Sequence, residues 1–227
     1  MANVNEYFEL ARAVYDKDDP DVYGWRMDKA KEWVTGTWLG NGMQGGIYQN
    51  DDEIICAFKG TIMGSPLPQT IMSDMTANLR IALGIIPNQA GGAFAMVRAA
   101  QEIAQGRVVS VTGHSLGGAL AQVVGKWCNV PFVTFNAPGM KFHVEAGKFN
   151  VFKPKQFLRS WRGTSDVFGV NFCVQGDPIS KFGTHIGRVI QLPNTFPAGQ
   201  RHDLRACMSA LTHHQYWTKE ALFLCGF

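Results

Sequence analysis

The stretch that most constrains this chain is Val108–Gly118, Val-Val-Ser-Val-Thr-Gly-His-Ser-Leu-Gly-Gly. A run rich in β-branched residues, Val108 to Val111, leads directly into Gly113-His114-Ser115-Leu116-Gly117 and then into small residues at helical spacing, Gly118-Ala119-Leu120-Ala121-Gln122. This order predicts a strand, a tight turn and a helix. A serine at such an apex takes a strained backbone, and side chains two positions before and after it would collide with the neighbouring helix and strand. Glycine at 113 and 117 removes both collisions. The turn would hold Ser115 Oγ above a sheet at the start of a helix, where the helix dipole favours negative charge. Ser115 is therefore the candidate nucleophile.

At 227 residues, one domain over 1–227 with a sizeable core is expected. Hydrophobic residues at 46% and charged residues at 17% fit a folded globule rather than a disordered chain. A formal net charge of +3 is too mild to argue for a nucleic-acid partner. Cys56, Cys128, Cys173, Cys207 and Cys225 are odd in number, widely spaced and without a C-x-x-C, so buried free thiols are expected rather than a disulfide framework or a metal site. The N-terminus has no basic segment followed by an apolar one, and no apolar run approaches the ~18 residues of a membrane span. A soluble chain is expected, cytoplasmic or exported by a route that needs no Sec signal.

Along the chain, Tyr7, Phe8, Leu10, Ala11 and Val14 recur at helical spacing, and a second short helix is expected over Tyr23–Val34. Strands are expected at Gly45–Gln49 and Glu53–Phe58, the second ending in Lys59-Gly60-Thr61. Ile62–Pro87 carries apolar residues among turn formers, with a helix near Ser73–Leu83; a lid over the site and an ordinary sheet-covering helix both fit it. A separate helix over Gln89–Gln105 leads to the Ser115 strand. Pro131–Phe135 reads as a buried strand. Beyond it Lys141, Lys148, Lys153, Lys155, Arg159 and Arg162 alternate with Phe142, Phe149, Phe152, Phe157 and Trp161. The favoured reading there is a solvated basic face over a small aromatic core, with contact to anionic lipid head groups as the alternative. Val170–Gln175 reads as a strand opening into Gly176-Asp177-Pro178, and His185–Leu192 as the last strand, followed by a loop to His202 and a helix from Asp203.

A serine hydroxyl needs a base, and the base needs an acceptor that fixes its tautomer. In the strand order of α/β hydrolases the acid and then the histidine follow the serine. Asp177 follows a convincing late strand at the sheet end that carries Ser115; Asp166 competes without a strong strand before it. For the base, His202 leaves the last strand at that same end. A helix from Asp203 would carry His213 about 15 Å away at roughly 1.5 Å per residue. His202 is favoured, with His213 next if that helix is short or turns back.

Taken together, Ala57-Phe58-Lys59-Gly60-Thr61, Gly113–Gly118, Gly176-Asp177-Pro178 and His185-Ile186-Gly187 make the chain resemble the class 3 lipases, α/β hydrolases of the fungal triacylglycerol lipase type, and in particular their compact bacterial relatives. The resemblance spans roughly Ala11 to Leu211. It implies a single-domain α/β hydrolase fold, a mostly parallel central sheet flanked by helices, an oxyanion hole from the amides of Thr61 and Leu116, and a lid after Thr61. Lys59 stands where the family usually has arginine. His213 and Tyr216 have the spacing of one family pattern for the base, whereas His202 fits the other, so the base stays open between them. Without a signal peptide the chain looks more like intracellular members or bacterial effectors, and an effector could carry an inhibitory protein partner. The expected activity is serine-dependent hydrolysis of lipid acyl esters, phospholipid or triacylglycerol, at a membrane or micelle interface, with no metal or organic cofactor. A soluble small-molecule esterase or thioesterase and a non-catalytic binding module are the alternatives.

Overall fold

Side chains alternate between two apolar layers. In a computed structural model that describes residues 2–15, 24–27, 33–34, 43–60, 75–149, 151–162, 168–194, 196–221 and 224, strand β4 (Glu53–Phe58) sends Ile54, Cys56 and Phe58 into one cluster and Ile55 and Ala57 into another on the opposite face. That period of two is what a strand covered on both faces requires. From β4 the sheet continues in parallel through β5 (Val108–His114), β6 (Phe132–Phe135), β7 (Gly169–Val174) and β8 (Arg188–Leu192). On its other side β3 (Gln44–Gln49) is antiparallel to β4, and β1 (Arg26–Met27) and β2 (Trp33–Val34) share the outer edge of β3. This is the mostly parallel, helix-flanked sheet of an α/β hydrolase.

Helices α2 (Met75–Ile103), α3 (Leu116–Cys128) and α4 (Lys141–Gly147) contribute to the first apolar cluster, and α5 (Pro154–Arg162) lies against α3 and α4. Helices α1 (Val4–Ala13) and α6 (Leu204–His213) cover the other face. The first of these starts with a reciprocal cap between Asn3 and Glu6. It also supplies Tyr7, whose hydroxyl lies 2.7 Å from Ser110 Oγ and whose carbonyl accepts from Thr112. The two hydroxyl residues of β5 are thereby bonded in a layer where an unpaired hydroxyl would be costly.

Several sequence expectations are corrected. Within Tyr23–Val34 none of the described residues is helical: Arg26–Met27 and Trp33–Val34 are strand, because they line the edge of β3, whose backbone groups would otherwise lack partners. The helices expected at Ser73–Leu83 and Gln89–Gln105 are one helix. Buried Ile86, Ala90, Ala93, Val97 and Ala100 form a continuous stripe that carries it across Pro87 despite the missing N–H. The last strand begins at Arg188 rather than His185. Nor do the aromatic residues between Lys141 and Trp161 form a small core: Val144, Gly147 and Ser160 fill the inward positions of α4 and α5, leaving Phe142, Phe149, Phe152 and Trp161 outside. Cys56, Cys128, Cys173 and Cys207 are free, as expected; Cys225 lies outside the described residues.

Candidate active site

The register Phe58↔Gly113 ends β4 beside the turn that follows β5. At that turn Ser115 has φ 57° and ψ −126°. A side chain on Gly113 would run into the Gly117 carbonyl, 2.6 Å from the ideal Cβ position, and one on Gly117 would strike the Phe58 carbonyl group. A Cβ on Gly118 would meet Ala137 Cβ at 2.6 Å. Helix α3, β4 and β6 can close on the turn only because these three positions lack a Cβ.

Serine at a helix N-cap ordinarily bonds back to the helix; Ser115 makes no such bond. Its Oγ lies 2.8 Å from His202 Nε2 instead. His202 Nδ1 stands 3.1 and 3.2 Å from the two carboxylate oxygens of Asp177. Asp177 is fully buried just beyond β7, and its oxygens also accept from the amides of Ile179 and Ser180 at 3.1 and 3.0 Å. Burial alone would raise its pKa, but the hydrogen bond and charge of His202 and the two amides outweigh burial and hold the carboxyl below its ordinary value. The structure thus brings Ser115, His202 and Asp177 together. His213 stands exposed at the far end of α6. Leu116 opens α3, where first-turn amides have no acceptor within the helix. Thr61 and Asp166, and with them residues 62–74 of the expected lid segment, lie outside the described residues.

Three residues missed from the sequence complete the surroundings. Tyr15, just past α1, accepts the Gly60 N–H at 3.1 Å through its hydroxyl, and burial pushes its pKa up to about 12 despite that bond. Asn136 accepts from the Val174 amide at 2.8 Å and donates to the Arg201 carbonyl at 2.9 Å. His114, read as part of the turn only, places Nε2 2.9 Å from the His202 carbonyl and its ring 4.9 Å from the His202 ring. A carbonyl only accepts, so His114 carries its proton on Nε2. Burial, then the charge of His202, push its pKa down to about 3. Neither Tyr15 nor Asn136 sits in a motif; only their place after α1 and β6, at the active end of the sheet, could have drawn attention to them. An open depression of about 240 Å³ is lined by Tyr15, Gly60, His114, Ser115, His202, Asp203 and Leu204. Among the described residues no cluster of three or more His, Cys, Asp and Glu is set to hold a metal ion.

A model of the phospholipase-like family, the Tle-like phospholipase domain, matches residues 6–205. The chain belongs to the Tle-like phospholipase family. That family description is in keeping with the lipase resemblance of the chain's motifs. An extracellular phospholipase A1 of Serratia liquefaciens is 37% identical over 101 residues, which cover 44% of the Tle-like chain and 29% of that protein. Similar solved structures include a Rhizomucor miehei lipase propeptide complex at 15% identity and TM-score 0.48, covering 84% of this chain and 70% of that one. A fungal lipase follows at 14% identity and TM-score 0.49, with coverages of 84% and 78%. Among the described residues no helix is long and apolar enough to cross a membrane.

Proposed function

We propose that the chain hydrolyses acyl esters of phospholipids through an acyl-enzyme on Ser115. His202 Nε2 takes the Oγ proton as the oxygen attacks the ester carbonyl, and Asp177 orients the ring and stabilises the imidazolium. The Leu116 amide, together with the Thr61 amide that the family resemblance implies, donates to the oxyanion. Collapse of the tetrahedral intermediate passes the His202 proton to the departing lysophospholipid oxygen. Water then gives a proton to His202 and attacks the acyl group, so that fatty acid leaves and Ser115 is restored.

The observation that carries this reading is the 2.8 Å approach of His202 Nε2 to Ser115 Oγ, on a serine that leaves its helix uncapped to make it. Membership in a phospholipase family favours phospholipid over triacylglycerol. The test is mass spectrometry of products from mixed phospholipid and triacylglycerol vesicles, with the native chain and Ser115→Ala. Lysophospholipid and fatty acid from the native chain alone are expected. Diacylglycerol in their place would overturn the phospholipid assignment, and absence of any serine-dependent product would overturn the lipid-hydrolase reading.

A further inference from the structure

The face formed by α4, α5 and the segment between them is unlike the rest of the described surface. Phe142 and Phe149 are each 80% exposed and Phe152 is 93% exposed; Val151, Leu158 and Trp161 are exposed beside them. Single exposed apolar residues are ordinary, but six within Phe142–Trp161, on two packed helices and their connection, mark a surface that meets something. Loose packing does not account for it. Beneath the rings, Trp127 Nε1 donates to Ser160 Oγ at 3.3 Å, and the absent Cβ of Gly147 lets α4 and α5 close on that serine. The Arg159 guanidinium stacks 4.1 Å from the Phe94 ring centroid and 5.6 Å from that of Trp127.

Charge identifies the occupant. Over Lys141–Trp161, Lys141, Lys148, Lys153 and Lys155 are set against a single acidic residue, Glu145, with Arg159 already stacked inward. A groove of about 490 Å³ beside α4 is walled by Lys126, Lys141, Lys148 and His185, with Glu145 as its carboxylate. Trp161 donates its indole N–H to the Lys148 carbonyl at 3.0 Å, so its ring can enter an apolar medium without stranding a donor. Aromatic rings rimmed by lysines are the chemistry of insertion at the headgroup level of a negatively charged leaflet. We propose that the α4–α5 face docks the chain on an anionic phospholipid bilayer, with Phe142, Phe149 and Phe152 inserted and the lysines on headgroup phosphates. The proposal deepens, and rests on, the phospholipid reading of the Ser115 site.

The test uses the full chain carrying Ser115→Ala, so that vesicles stay intact, in co-sedimentation with phosphatidylcholine vesicles with and without phosphatidylglycerol. Binding should require phosphatidylglycerol and weaken with salt. Phe149→Ala with Phe152→Ala, and separately Lys141→Glu with Lys148→Glu, should each lower partition by about tenfold or more. On the Ser115 background both pairs should hydrolyse a soluble short-chain ester like the native chain, which shows that they fold. Equal partition of the variants, equal binding to phosphatidylcholine alone, or a dimer in buffer that both pairs abolish would overturn the proposal, the last in favour of a second copy. Phosphatidylglycerol-dependent binding without any ester hydrolysis would sink the Ser115 reading instead. Hydrolysis of dispersed phospholipid without such binding would sink only the docking surface.

Discussion

The turn at Ser115 and the α4–α5 face solve opposite problems. At the turn the Ser115 hydroxyl meets a ring nitrogen, three glycines leave no room for a single methyl group, and a buried carboxylate is held by a ring and two amides. On the α4–α5 face the scaffold is equally well packed, yet its largest apolar groups point outward and contribute little to the fold. Geometry is held rigid around the proposed nucleophile, and apolar area is left uncovered on the proposed docking face. Substitutions should therefore fail in different ways in the two regions.

The largest difference should appear in catalysis. His202→Ala should lower kcat/KM for any accepted ester on the order of 10⁴-fold, whereas His213→Ala, at the exposed end of α6, should change it by less than about twofold. Comparable losses from both would erase the special status given to the Ser115 end. In stability, Gly117→Ala drives a methyl into the Phe58 carbonyl group and should cost about 3 kcal/mol or more. Phe152→Ala, at an exposed ring, should stay within about 0.5 kcal/mol. Denaturant melts of the two variants measure both.

These two regions also differ in how legible they were. The turn, the order serine, acid, histidine, and the end of β4 could be read because their constraints are local: a glycine two residues away, a strand emptying into Gly-Asp-Pro. His202 needed only the length of one helix to be preferred over His213. Tyr15, Asn136 and the bond from His114 could not be read, because each acts on a backbone group at least 38 residues away. The basic and aromatic alternation after Lys141 was visible, but its faces were assigned inside out. Periodicity reports that a stripe exists, and only the neighbours Ser160 and Gly147 decide which side of it is inward. Edge strands β1 and β2, two residues each, are too short to carry a pattern.

Three further effects sharpen the contrast. His114 stays neutral in the folded chain down to about 3, while its unfolded counterpart takes up a proton near 6.5. The unfolded state then binds more protons, so stability is lost as pH falls from 6.5 toward 3, at up to about 1.4 kcal/mol per pH unit. His114→Gln, which keeps a donor for the His202 carbonyl, should flatten that slope in thermal melts. Asp177 is lowered in the fold, so its contribution is present above its ordinary 3.8 and is lost only as pH drops below that. Tyr15→Phe leaves the Gly60 N–H without its acceptor and should cost about 1–2 kcal/mol of stability, read in denaturant melts.

The uncapped start of α3 has a practical consequence. A helix whose first serine turns away keeps its amides and the positive end of its dipole unanswered. A phosphonate or boronate bonded to Ser115 Oγ would bring a negative oxygen to that end and complete the helix that the protein itself leaves open. Inhibitors of this kind should therefore reveal themselves by raising the melting temperature, which makes a dye and a heating block sufficient to search for them before any natural substrate is in hand.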